Sequence, residues 1–247
     1  DDGYSGSLWS ELAKIVVQSS IVIRNGEQLN LPITQQGAKN NYVGEAYALR
    51  ALAYFNYQQF FSQTYNFTSD ASHLGAPLPD FDVVGGRELV FPARSTTAEV
   101  YTQIKKDLNK ALHLMQKNSY KYRMDLDAAK ALLARVSLVT EDWVNAEKYA
   151  LEVINSNFSL LSSEGYISSW GADSNSETIF TVLNNKIQNS GTTSVSYFYL
   201  GYKDAYATDD FISIFSNSDV RKFLYPVYNG VYLVSKFLDR ESNIQIF

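Results

Sequence analysis

Apolar residues recur at helical spacing through most of the first 160 positions. Leu8, Leu12, Ile15, Val16 and Ile23 form one stripe, and Asn25-Gly26 supplies a C-terminal stop signal. Tyr42, Ala46, Leu49, Ala53, Tyr57 and Phe60 predict a long second helix, in which Ala46, Ala48, Ala51 and Ala53 permit close helix–helix approach. Pro77, Pro79, Gly85, Gly86 and Pro92 then break all periodicity. Order resumes at Thr96-Thr97-Ala98-Glu99, a capping-box pattern, followed by Val100, Ile104, Leu108, Ala111 and Met115. A further helix runs from about Asp127 through Leu132 to Val139. Another follows, with Asp142 as its N-cap, and contains Trp143, Ala146, Ala150, Val153 and Ile154. These last two form a helical hairpin. Leu133, Ala134 and Ala146 stand where a tetratricopeptide repeat (TPR) keeps a leucine, a small residue and an alanine. A degenerate repeat and an ordinary antiparallel hairpin both fit.

Beyond residue 160 the character changes. Residues 161–200 carry only Glu164, Asp173, Glu177 and Lys186 as charged side chains. Thr178–Leu183 reads as a strand, Ser194–Tyr199 as a strand or an aromatic loop, and Val231–Val234 as a final strand. Asp209 or Asp210 caps a short helix through Phe211, Ile212 and Phe215. The expected fold is mostly α: a TPR-like helical-repeat scaffold with long loops and a few short β-strands. In such a chain the helices scaffold and the loops bind.

Composition narrows the chemistry. With 21 Lys+Arg against 26 Asp+Glu the net charge is −5, which argues against nucleic-acid binding. The absence of cysteine removes disulfides, thiolate nucleophiles, zinc fingers and iron–sulfur clusters. His73 and His113, the only histidines, cannot make a histidine-rich metal site and read as partly exposed polar residues. No phosphate-binding loop, dinucleotide fingerprint or nucleophile elbow is present, and Gly85-Gly86 reads as a turn. Asp80/Asp82 and Asp209/Asp210 could pair as a glycosidase acid and base, but such loop carboxylates are usually solvated surface or helix caps. Asp219-Val220-Arg221 reads as a local ion pair in preference to an anion site. Asn66-Phe67-Thr68 and Asn157-Phe158-Ser159 match the N-glycosylation pattern, which is common by chance. No catalytic residue, metal or cofactor is expected. No apolar run is long enough to span a bilayer, and Asp1-Asp2-Gly3-Tyr4 is unlike a signal peptide. A cytosolic protein and one whose targeting segment has been removed both remain open.

Aromatic residues are the compositional anomaly: 18 Tyr, 14 Phe and 3 Trp make 14% of the chain. Tyrosine joins an apolar ring to a polar tip, which suits half-wet binding faces as well as cores. The candidate ligand-binding rings are Tyr65, Phe67 and Phe81 after the long helix, Trp170 among serines, and Tyr197, Tyr199 and Tyr202 beside Tyr206. A ring face packs on the C–H face of a pyranose while nearby amides and carboxylates take the hydroxyls. The same rings could equally be packing residues.

Five ordered blocks carry a family resemblance. Gly44–Phe55 (GEAYALRALAYF) resembles the "EA-x-x-LRA-x-x-YF" helix of SusD/RagB-like proteins, the nutrient-binding surface lipoproteins of Bacteroidetes, and Gly75-Ala76-Pro77-Leu78 follows as their "G-x-P-L". Arg94–Leu108 resembles "R-x-(S/T)-x-x-E-V-Y-x-x-I-x-x-D-L". Ala129–Val136 is similar to "A-K-A-L-L-A-R-V", Ser176–Phe180 to "S-x-E-x-I-F", and Asp219–Arg221 to "D-x-R". The resemblance implies a non-catalytic protein of the outer-membrane cell surface, held by a lipid anchor in its precursor. Such a protein captures oligosaccharides and delivers them to a SusC-like TonB-dependent transporter. It also implies a single domain over 1–247, with a helical scaffold at about 8–160 and a loop and short-strand region at about 161–247. Family members run to about twice this length, so the chain resembles a truncated or short member. It lacks the N-terminal segment with its lipidated cysteine, and the C-terminal helices. The matched blocks are mostly scaffold, so the ring candidates rest on their chemistry alone. The alternatives are a peptide-binding member of the family and a cytosolic TPR-like scaffold for protein partners; a glycoside hydrolase is the remotest.

Overall fold

The stripe through Leu12, Val16 and Ile23 is buried along helix α1 (Gly3–Gln28), which runs straight through the expected stop at Asn25-Gly26. Gly26 faces Val43 of helix α2 (Ile33–Phe61) so closely that a side chain there would collide with it. The glycine therefore serves helix contact, not termination. The computed structural model describes residues 3–79, 92–118, 120–172, 174–182, 197–202 and 205–236. The chain divides into two compact units, Asp1–Ser119 with Met124–Ser156, and Tyr120–Arg123 with Asn157–Phe247.

In the first unit α2 is the central element, packed between α1 and helix α3 (Thr97–Leu114). Ala48, Ala51 and Ala53 have almost no exposed surface, so α2 meets its neighbours at close range. Val100, Ile104, Leu108 and Ala111 of α3 are fully buried. Strands β1 (Leu74–Pro77) and β2 (Arg94–Thr96) pair antiparallel across the proline- and glycine-rich interruption. Arg94 ties this pair to the end of α2: its Nε donates to the Gly75 carbonyl (2.7 Å) and its Nη2 to the Phe61 carbonyl (2.8 Å). The capping box forms as expected. Glu99 N donates to Thr96 Oγ1 (3.2 Å), and Thr96 N donates to Glu99 Oε2 (2.8 Å).

Helices α4 (Leu126–Val139) and α5 (Trp143–Ile154) form the hairpin, capped by Asp125 and Asp142. Asp127, expected at the start of α4, lies inside it. Its carboxylate receives Lys117 (3.0 Å) and Ser156 Oγ (2.6 Å), joining the ends of α3 and α5.

The second unit holds helix α6 (Ser163–Ser169), a π-helical turn at Tyr197–Tyr202, strand β3 (Tyr206–Ala207) and helix α7 (Asp209–Ser213). A 3₁₀ turn at Val220–Leu224 and strands β4 (Val227–Tyr228) and β5 (Val231–Leu233) follow. The three strands form an antiparallel sheet of order β3-β5-β4. Asn229 and Gly230 both have positive φ (51° and 80°), the geometry that a two-residue hairpin turn demands. Ile212, Leu224 and Tyr225 are its buried centre.

Two sequence expectations fail here. Residues 178–182 are not a strand: Thr178 N bonds the Asn175 carbonyl (3.2 Å) and Thr181 N the Lys121 carbonyl (2.8 Å), so a local turn and a loop contact replace a ladder. Tyr197–Tyr199 lie in a helical turn, not a strand, and Leu183 and residues 194–196 lie outside the described residues. The α7 helix forms, but Thr208 caps it in place of an aspartate, its Oγ1 accepting from Phe211 N (3.2 Å).

Candidate functional site

The seven candidate rings fall into separate places. Tyr65 and Phe67 belong to the first unit, in a short helical turn after α2. Tyr65 is half-buried, its ring edge-on to Tyr101 at 5.1 Å, and burial pushes the Tyr101 hydroxyl up to about 12, so it stays a neutral donor or acceptor. Phe67 is 60% exposed and stands edge-on to the His73 ring at 5.4 Å. Phe81 lies outside the described residues.

The second unit carries the other four. Tyr197 and Tyr202 meet edge to face at 4.8 Å, with Tyr199 half-buried in the same turn and Tyr202 about half exposed. Trp170, at the end of α6, packs against the Ile212–Leu224–Tyr225 centre and stands edge-on to Tyr166 at 6.1 Å. Lys236 Nζ sits 5.4 Å from the Trp170 ring centroid, a cation–π contact. Trp170 is thus a half-buried wall and not a free-standing platform.

Sequence reasoning passed over other exposed rings of this unit. Phe223 (73% exposed), Tyr228 and Phe211 present apolar surface to solvent. Phe211 also contacts Phe215 and Tyr225, which stack at 5.7 Å with Arg221 over the Phe215 ring. The hairpin signal Asn229-Gly230 was available to locate Tyr228; nothing local marks Phe223.

The charged groups around them are paired or exposed. Arg221 closes on Asp219 through Nε and Nη2 (2.9 and 2.6 Å), the local ion pair expected, and holds that carboxyl below the usual aspartate range. Asp209 and Asp210 occupy the exposed first turn of α7, while Asp80 and Asp82 lie outside the described residues. No group of three metal-ligating side chains occurs among the described residues.

The motif residues, in contrast, are structural. Arg50 and Asp107 form a buried ion pair, Arg94 anchors the β1–β2 pair, and Glu99 closes a cap. A family model, SusD-like and described as starch-binding associating with outer membrane, matches residues 1–138, more than half of the chain.

The chain belongs to the SusD-like family.

Solved SusD structures share its fold. A SusD superfamily protein of Bacteroides vulgatus is 27% identical, with TM-score 0.79 over 94% of this chain and 55% of that one. One from Bacteroides thetaiotaomicron is 24% identical, with TM-score 0.80 over 95% and 57%. A SusD-like carbohydrate binding protein of B. vulgatus is 22% identical, with TM-score 0.78 over 96% and 53%. The chain therefore spans just over half the length of these SusD relatives. Among curated proteins none matches it. Association with the outer membrane is part of the SusD-like family's description, and no described helix is long and apolar enough to cross a membrane.

Proposed function

We propose that this chain captures oligosaccharides at the outer-membrane surface as a non-catalytic SusD-like subunit and hands them to a SusC-like TonB-dependent transporter. The observation that carries this reading is the match of residues 1–138 to a starch-binding family associated with the outer membrane. The carbohydrate binding relative from B. vulgatus and the exposed tyrosines of the second unit support it. Stacked rings and a few hydrogen bonds give modest affinity with rapid release, which suits a protein that passes its cargo on. Tethering beside a transporter through a lipid anchor on the precursor compensates by raising the local ligand concentration.

Isothermal titration of the chain against neutral α- and β-linked glucan oligosaccharides tests the proposal. Binding that Tyr202→Ala and Tyr199→Ala both weaken supports it. No binding across the panel, binding of peptides alone, or release of reducing sugar by the purified chain overturns it.

A further inference from the structure

Two clefts along the seam of α1, α2 and α3 in the helical unit adjoin at Glu27 and Lys106, which line both, and together make a trough. The smaller, about 350 Å³, is lined by Arg24, Arg50 and Gln28. The larger, about 780 Å³, is lined by Lys39, Lys110 and His113, edged by Asn40 and Asn109 and floored by Val43 and Leu114. Lys106, Lys110 and His113 stand at i, i+4 and i+7 of α3, which sets them on one helix face. Lys39 reaches in from α2, its Nζ donating to the Leu29 carbonyl at 3.3 Å.

This trough is a local reversal of charge in an acidic protein. Four other lysines of the unit are matched, Lys14 to Glu11, Lys105 to Asp142, Lys117 to Asp127 and Lys130 to Glu152, while Lys148 lies over the Tyr149 ring at 4.8 Å. Arg24, Lys106 and Lys110 have no carboxylate at ion-pair distance among the described residues. Glu27, the one carboxylate among the described residues of the walls, accepts from the Tyr47 hydroxyl at 2.7 Å and keeps its charge, but Arg24, Lys39, Lys106 and Lys110 outnumber it. An excess of cations around a concave surface concentrates positive potential there and attracts an anionic occupant.

We infer that this trough is a second ligand site, for an anionic oligosaccharide whose carboxylate or sulfate groups sit on Lys106 and Lys110. The size of the wider cleft is that of a small-molecule site, and its apolar floor and flanking amides match the C–H faces and hydroxyls of a sugar. A run of glutamates would meet the charges but has no apolar face for that floor. The inference rests on the helical unit and is independent of the rings of the second unit.

Calorimetric titration of the whole chain with trigalacturonic acid, a sulfated trisaccharide, maltotriose and a hexaglutamate peptide tests it. The uronate or the sulfated sugar binds, and which of the two does so identifies the anion. Lys106→Gln with Lys110→Gln weakens that binding by about tenfold or more, the loss expected for charge-assisted bonds. Lys106→Arg with Lys110→Arg retains it, and added salt weakens it. Both lysines are exposed, so the variants keep the far-ultraviolet circular dichroism of the parent; Arg24→Gln reads the same site from α1. Anionic sugars that bind no better than maltotriose overturn the inference. So does an affinity that the double Gln variant leaves unchanged, or a response confined to the hexaglutamate peptide.

Discussion

Arg50 of α2 grips Asp107 of α3 through two parallel hydrogen bonds, Nε to Oδ2 and Nη2 to Oδ1, both 2.7 Å. The aspartate is buried, Gln103 Nε2 donates to its Oδ1 (2.7 Å), and Arg50 Nη1 donates to Ser20 Oγ on α1 (3.0 Å). One guanidinium thereby links the three helices that form the trough. Burial is the largest single influence on both groups: it raises the Asp107 carboxyl despite Arg50 beside it, while the bonds and charge of Asp107 together outweigh it at Arg50 and raise the guanidinium. These two residues are the arginine of the LRA block and the aspartate of the D-L block, so the family motif encodes a junction and not a ligand contact.

Breaking this junction from one side should be costly. Arg50→Met leaves an unpaired buried carboxylate and should destabilise the unit by about 3–5 kcal/mol, with Asp107→Leu acting similarly. The double variant should lose less than the sum of the singles. Urea denaturation followed by circular dichroism measures all three; strictly additive losses would show that the pair is uncoupled.

Two glycines should respond oppositely to alanine. A Cβ at Gly75 would stand 2.6 Å from Gln58 Nε2 and 3.0 Å from Val100 Cγ2, so Gly75→Ala overpacks the β1–α2–α3 contact by about 1–3 kcal/mol. Gly37, inside α2, meets nothing within 4 Å, and Gly37→Ala should stabilise the helix by about 0.5–1 kcal/mol. Thermal melts of the pair decide the matter, and shifts of the same sign would refute the packing described.

Glu99 should titrate below the ordinary glutamate range, because the Thr96 backbone N–H and then its hydroxyl donate to the ionised carboxylate. A carboxyl lowered in the folded state adds stability above its unfolded pKa, and that contribution fades as pH falls through the folded value. Carboxyl-carbon NMR titration reads this directly. Thr96→Ala, which removes the hydroxyl and keeps the N–H, should move the Glu99 midpoint part of the way back up; an unmoved midpoint would contradict the cap.

Trp170 and Tyr202 should separate stability from binding. Trp170→Ala removes a wall of the Ile212–Leu224–Tyr225 centre and should destabilise the second unit by about 2–4 kcal/mol, somewhat under the loss for a fully buried tryptophan. Tyr202→Ala, at an exposed ring, should change stability by less than about 1 kcal/mol. Denaturation monitored by tyrosine and tryptophan fluorescence tests both, and a Trp170→Ala variant as stable as the parent would remove that ring from the core.

Much of the scaffold could be read in advance because its signals are local. The cap at Thr96–Glu99, the start of α5 at Asp142 and the alanine-rich contact face of α2 each depend on residues within a turn or two. The expected stop at Asn25-Gly26 and strand at 178–183 were misread for the opposite reason. Val43 gives Gly26 a use in packing, and Lys121 takes the Thr181 N–H that a strand would have offered to a neighbour. The candidate rings were identified by composition, which does not say which face of a ring is covered.

The order of residues alone was enough for the helical class, the caps at Thr96 and Asp142 and membership of the SusD-like family, since periodicity and motif spacing are properties of short stretches. Tertiary structure decided the rest. It alone brings Arg50 to Asp107 across 57 positions, divides the rings between two units and gathers Lys39, Lys106 and Lys110 on one wall. Burial and charge neutralisation depend on neighbours distant in the chain, and only the packed helices bring those neighbours into place.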